Sequence, residues 1–296
     1  MKSSNDNLFF QVNSREVALK MSGVNSNINA TTLGKLNMAL SELTNSLFEF
    51  KEKVAYHDSE LEGKLFRFIL ANASMIKLID KTPIEICKKQ YKTLDLHTIN
   101  TISRMQIETF LMTYYLSFSE GSTEEKDMRY DLYRLHGLNK QLSFTVKSPF
   151  GEKKKVEVNQ EFETVLKQLK SRKIFRKLGE KKQKILLKFQ YAKIIKPDIL
   201  FRESGIASYG TDELWSLYSN HTHSEYISDR QFRSYYNNAK TNSLTANLNI
   251  QFQIILTAKL CRFLTEKLES PKKVISRLDE EARILIYTWG YKVGKN

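Results

Sequence analysis

Glycine and proline are scarce in this 296-residue chain, at eleven and four, so tight turns are correspondingly few. That shortage argues against all-β sandwiches and barrels, which join many short strands through turn residues, and leaves helices as the expected material. Cysteine is scarcer still. Cys87 and Cys261 stand far apart without a CxxC partner, so neither a disulfide framework nor a zinc knuckle is suggested, and both read as buried thiols. Nowhere do eighteen apolar residues run together, and the opening "MKSSNDNLFFQVNSREVALK" lacks the apolar core of a secretory signal. A cytoplasmic protein without a transmembrane segment is therefore expected. No GxxxxGK[ST], HExxH or GxSxG occurs, which disfavours nucleotide-driven and metallo-hydrolytic chemistry; no cofactor and no metal is expected.

Acidic residues are outnumbered, with 33 Asp and Glu against 47 Lys and Arg and a net charge of +14. The excess is concentrated. In "KQLKSRKIFRKLGEKKQKILLK", residues 167–188, ten Lys or Arg face one acid, Glu180. Interleaved Phe175, Leu178, Ile185, Leu186, Leu187 and Phe189 predict two basic amphipathic helices meeting at Gly179. Such a segment is a solvated outer face, a phosphate-tracking surface or a membrane-surface helix. As a nucleic-acid contact its candidates are Lys173, Arg176, Lys177, Lys181, Lys182 and Lys184. RNA or another polyanion is the partner this charge implies, and a protein partner or a second copy of the chain is compatible with it.

The pattern of apolar residues predicts a mainly α protein, a helical bundle with a small inserted β-hairpin. Residues 1–30, rich in Asn and Ser, read as a weakly structured arm, and 31–296 as a single helical domain. Leu33, Leu36, Leu40, Leu43, Leu47, Phe50 and Val54 step by three and four, the pattern of one buried helical face. A second helix stops before Pro83, a third spans about 95–118, and a fourth about 123–141, opened by the cap "STEE". Alternating apolar residues around Pro149 and Gly151 then predict the inserted hairpin at about 143–158, followed by the basic helical segment at about 160–190. Helices over about 211–226, 244–268 and 271–289 complete the chain.

Two helices carry the polar residues of most interest. Between Ile102 and Phe118 only Arg104 and Glu108 are charged, where the composition predicts four or five charges, so this helix belongs inside a bundle. Arg104 and Glu108, four apart, share a face and are expected to pair, because an isolated buried charge costs several kcal/mol or more. In "TDELWSLYSNHTHSEY" the same spacing aligns Trp215, Ser219 and His223, with His221 pointing elsewhere. Ser219 beside His223 offers a hydroxyl and an imidazole, as a nucleophile and base or as a local polar contact. His221 and His223 are two apart, which does not suit a helical zinc pair.

An Arg-x-x-x-Glu helix followed by a Ser-x-x-x-His helix resembles an uncharacterised bacterial all-helical family, grouped loosely with HEPN-like and abortive-infection proteins. The resemblance covers roughly residues 35–268. It implies that Arg104, Glu108, Ser219 and His223 meet in one bundle core as a shared polar site; the hairpin and His221 have no counterpart in it. HEPN nucleases are marked by an Arg followed by a His after four to six residues, and Arg129 and His136 in "RYDLYRLH" fit that spacing. There His136 would take a 2′-hydroxyl proton and Arg129 would stabilise charge on the phosphorane. The favoured expectation is thus a HEPN-like defence or toxin-type protein acting on RNA, as a metal-independent ribonuclease. The alternative is a non-catalytic nucleic-acid-binding or partner-binding helical module.

Overall fold

The computed structural model describes residues 26–222, 225–236 and 239–291. The span read from the sequence as one domain divides into two compact units. Residues up to 53, 61–111 and 204 onward form the first, and residues 54–60 and 112–203 the second.

In the first unit, α1 (Ser26–Glu49) packs against α2 (Leu61–Leu78) and against the long α11 (Ala239–Lys267), with α12 (Glu269–Val274) and α13 (Glu280–Gly290) completing the group. Leu33, Leu36, Leu40, Leu43 and Leu47 of α1 are buried, as their spacing predicts. Phe50 and Val54 are exposed instead, because the helix ends at Glu49 and they leave its apolar stripe. The unit also holds the β1–β2 hairpin (Thr82–Ile86 and Lys89–Thr93, antiparallel), most of α3 (Leu96–Thr113), α9 (Thr211–Thr222) and α10 (Tyr226–Tyr236).

Apolar packing is slippery along a helix axis, and buried amides fix the register. Asn249 of α11 donates to Asn100 at 3.0 Å and to the Thr245 carbonyl at 2.9 Å, while Ser103 donates to its side-chain oxygen. One layer away, Asn72 of α2 donates to Asn37 and to Thr257, both at 3.0 Å, and accepts from Gln106 at 2.8 Å. Four helices are thereby tied at a single residue.

The second unit is built on α4 (Thr123–Leu142) and α5 (Pro149–Ser171). Met128, Leu132, Leu135 and Leu138 of α4 interlock with Val158, Val165 and Leu169 of α5 and with Phe175 of the short α6 (Lys173–Arg176). α7 (Glu180–Leu186) and α8 (Pro197–Glu203) follow. A capping box starts α4: Ser122 accepts from the Glu125 N–H at 3.3 Å, and Glu125 accepts from the Ser122 N–H at 2.8 Å. Ahead of it, Gly121 sits at φ 137°, and a Cβ there would meet Glu125 Oε2 at 3.1 Å and the Arg129 guanidinium at 3.2 Å.

The fold is mainly helical with one small hairpin, but the hairpin is not at 143–158. That segment enters α5, because Ser148 caps it by accepting from the Gly151 N–H at 3.1 Å and Pro149 is pre-set for the first turn. Val158, Val165 and Leu169 continue as a helical stripe, which outweighs the short alternation before them. The hairpin lies at 82–93, and its turn residues Cys87 and Lys88 have φ of 52° and 62°, the paired left-handed geometry of a tight hairpin turn. Cys87 is consequently exposed rather than buried, whereas Cys261 is buried. The arm read over 1–30 already gives way to helix at Ser26; the rest of it lies outside the described residues.

Replacing Asn249 with Ala should cost about 1–3 kcal/mol, since it strands the partners Asn100 and Ser103 in the core. Urea unfolding of the full chain measures this; a loss below 0.5 kcal/mol, roughly what an ordinary surface substitution produces, would show that the amide does not hold register.

Candidate functional site

The first polar site joins α3 to α9. Arg104 donates to Glu108 Oε1 at 2.9 Å, and the Trp215 indole N–H donates to the same oxygen at 2.9 Å. The Arg104 guanidinium also lies over the Trp215 ring, 4.1 Å from its centre. A planar cation on an indole face, with both groups sharing one carboxylate oxygen, is a stacked and charge-assisted clamp. Arg104 therefore pairs with Glu108 as the spacing predicts. The helix is less enclosed than the lack of charge suggests: the two side chains are 16% and 35% exposed, and Met105 faces solvent. Full burial begins further along, where the π-helical turn Tyr114–Phe118 is enclosed on all sides.

Ser219 lies half-buried one turn beyond Trp215 on α9. His223, the expected fourth member, and the His221 side chain lie outside the described residues. The structure brings Arg104, Glu108 and the Trp215 helix together. In the sequence Trp215 is marked only as a neighbour on the Ser219 face, and its indole N–H is the one feature there that asks for an acceptor.

Arg129 and His136 are both on α4 but do not converge. Seven residues separate them, about 10.5 Å along the helix axis. Arg129 is buried and donates to Ser119 Oγ at 2.7 Å and to the Glu120 carbonyl at 3.0 Å, with its guanidinium 5.5 Å from the Tyr115 ring. It ties the end of the π-helical turn to α4. His136 Nδ1 lies 2.8 Å from the Phe189 carbonyl, so Nδ1 carries the proton in this contact.

A richer cluster, absent from the sequence reading, surrounds Arg172 at the end of α5. Its Nε donates to Asp131 Oδ2, and its Nη1 donates to Asp127 Oδ2 at 3.3 Å. The other Asp131 oxygen accepts from the Tyr56 hydroxyl at 2.7 Å, and Asp127 Oδ1 lies 2.8 Å from His57 Nδ1. Tyr56 in turn accepts from Arg134 at 3.0 Å, and Arg134 donates to Glu161 at 2.6 Å. Asp131 is fully buried and Arg172 is 12% exposed. Burial pushes the Asp58 carboxyl up, opposed by a hydrogen bond from Ser117 and by the charges of His57 and Lys126. A His between Asp127 and Asp58 has the parts of an acid-base dyad, yet these groups are enclosed and bonded to one another. The arrangement fastens the Tyr56 turn, α4 and α5 together. Asp127 and Asp131, four apart on a helix, were its only local signal.

Outside that cluster the basic segment behaves differently. Phe175 is buried and Ile174, Leu178, Leu186 and Leu187 are partly buried against the α4–α5 core, while Lys173, Arg176, Lys177, Lys181, Lys182 and Lys184 are all exposed. Gly179 separates the two short helices. Among the described residues, no group of His, Cys, Asp or Glu is suited to hold a metal ion, and no helix is long and apolar enough to cross a membrane. Compared with protein-family models, with curated proteins and with solved structures, the chain matches none.

Two substitutions separate the sites energetically. Arg172→Met should destabilise by about 3–5 kcal/mol, because it leaves Asp131 charged, buried and short of a partner, and Asp131→Asn in the same chain should restore part of that loss. Chemical denaturation of the four proteins gives the coupling; additive losses would show that the ion pair is not the fastening. Glu108→Ala, at a half-exposed pair, should cost only about 1–2 kcal/mol in the same assay, and a loss as large as that of Arg172→Met would place Arg104 deeper than its exposure indicates.

Proposed function

We propose that this chain is a nucleic-acid-binding helical module that holds RNA on the cationic face of residues 167–188 and does not itself cleave it. One observation carries the reading: the helices of this segment turn Ile174, Phe175, Leu178, Leu186 and Leu187 inward, with Ile185 exposed, and leave Lys173, Arg176, Lys177, Lys181, Lys182 and Lys184 in solvent beside the single acid Glu180. A polyanion approaching such a face releases its counterions, which drives binding without sequence readout. Arg172 is the exception, turned inward onto Asp127 and Asp131.

Non-catalytic binding is favoured over a HEPN-like ribonuclease by the engagement of the residues that would do the chemistry. Arg129 is buried and directs Nη1 to Ser119 and the Glu120 carbonyl, and His136 directs Nδ1 to the Phe189 carbonyl. A defence or toxin role would rest on the same surface and requires a reacting group that meets the bound RNA.

Charge reversal at Lys181, Lys182 and Lys184 tests this. The triple Glu variant should bind single-stranded RNA more weakly and lower the log-log salt slope by roughly two units, at about 0.7 per phosphate contact, with an unchanged melting temperature. An unchanged slope would return these lysines to a solvated outer face. Total RNA incubated with the wild-type protein should remain intact; cleavage abolished by His136→Ala would replace binding with ribonuclease activity.

A further inference from the structure

The second unit contains a pocket of about 390 Å³ between the end of α7, the segment 189–197 and Leu132 of α4. Its walls are Leu132, Ile185, Leu186, Ile194, Ile195 and Pro197, with Phe189 among them. The volume falls within the range of small-molecule sites. Its wall is held at both ends: His136 Nδ1 bonds the Phe189 carbonyl at 2.8 Å, and the Ile194 N–H donates to the Tyr115 hydroxyl at 3.2 Å. Burial pushes the Tyr115 hydroxyl up to about 12, so it stays neutral in this contact. Side chains that would normally close over such a space are left in solvent: Tyr191 is 71% exposed, Ile185 51% and Ile194 40%.

Charge defines the ligand further. Lys193 and Lys196 are among the lining residues, Lys196 is exposed, and none of the lining residues is acidic. The neutral side chains able to hydrogen-bond, Gln190 and Tyr191, are both exposed, so the walls offer an aliphatic body rather than the edge contacts that a nucleobase uses. We propose that this pocket binds a free fatty acid, its single aliphatic chain between Leu132, Leu186 and Ile195 and its carboxylate at Lys196. Lys196 lies beyond the lysines assigned to RNA, although Ile185 and Leu186 of the pocket belong to the same helix as Lys181, Lys182 and Lys184.

Isothermal titration of the full chain with octanoate, decanoate and laurate, each below its micelle concentration, tests the proposal. One site should be found, with affinity rising roughly fourfold per added methylene until the pocket is full. Dodecyltrimethylammonium, whose tail is one carbon longer and whose charge is opposite, should still bind at least about tenfold more weakly than laurate, and Lys196→Glu should weaken laurate about fivefold. Ile185→Trp, at an exposed position of the mouth, should abolish binding while the melting temperature stays unchanged; Ile194→Trp serves if that variant does not fold. Absence of saturable laurate binding, equal binding of the cationic analogue, or full binding by the folded Trp variant would overturn the proposal. Association with phosphatidylglycerol vesicles in place of free laurate would also overturn it, by making this a membrane contact.

Discussion

Arg172 leaves the last turn of α5 toward the interior, and the organisation of the second unit depends on the two carboxylates it meets there. Asp131 is wholly enclosed, and an enclosed carboxylate is tolerable only with donors on both oxygens. Tyr56 and Arg172 supply them, from two places far apart in the chain. The arrangement also has an electrostatic effect outside itself. Because Asp127 and Asp131 are turned inward on Arg172, they are not available to shield the exposed lysines that follow it, and Glu180 is the one acid within that run. The exposed lysines of that run therefore carry a positive field that the two inward carboxylates do little to offset.

The first unit reaches specificity with neutral groups. Asn249 ties α11 to two side chains of α3, and Asn72 ties α2 to side chains of three further helices; the contacts are amide or hydroxyl bonds rather than ion pairs. Each is costly to leave half-made and modest when complete. They discriminate between registers that leucine packing alone would tolerate. The Arg104–Glu108–Trp215 clamp does similar work nearer the surface, where partial hydration lowers both its cost and its strength.

Helices were legible because their apolar stripes run over several turns; the leucines of α1 and the aromatic and aliphatic residues of α3 are examples. The hairpin was misplaced because a few alternating residues near Val156 and Val158 resemble a strand, whereas the real turn at Cys87 and Lys88 uses left-handed backbone without the Asn-Gly pair that normally announces it. Arg104 with Glu108 could be read as a pair, since four residues on a helix bring side chains together. The partner Trp215 and the His57–Asp127 contact could not, because sequence spacing says nothing about which helices become neighbours. Arg129 and His136 show the converse: matching a motif spacing does not make two side chains converge.

The first unit is discontinuous along the chain, and this has a consequence for synthesis on the ribosome. α1 finds its main partner, α11, only after about 190 further residues have been added, and Asn29 of α1 bonds Asn247 of α11 across 218 positions. At 5–20 residues per second the delay is roughly 10–40 s. Residues 54–60 and 112–203, the whole of the second unit, are made within that interval. The second unit can therefore be finished while α1, with α2 beside it, still waits for the long helix that completes its cover. During that wait the part of the α1 leucine stripe that α11 will cover is open to contacts the finished fold forbids.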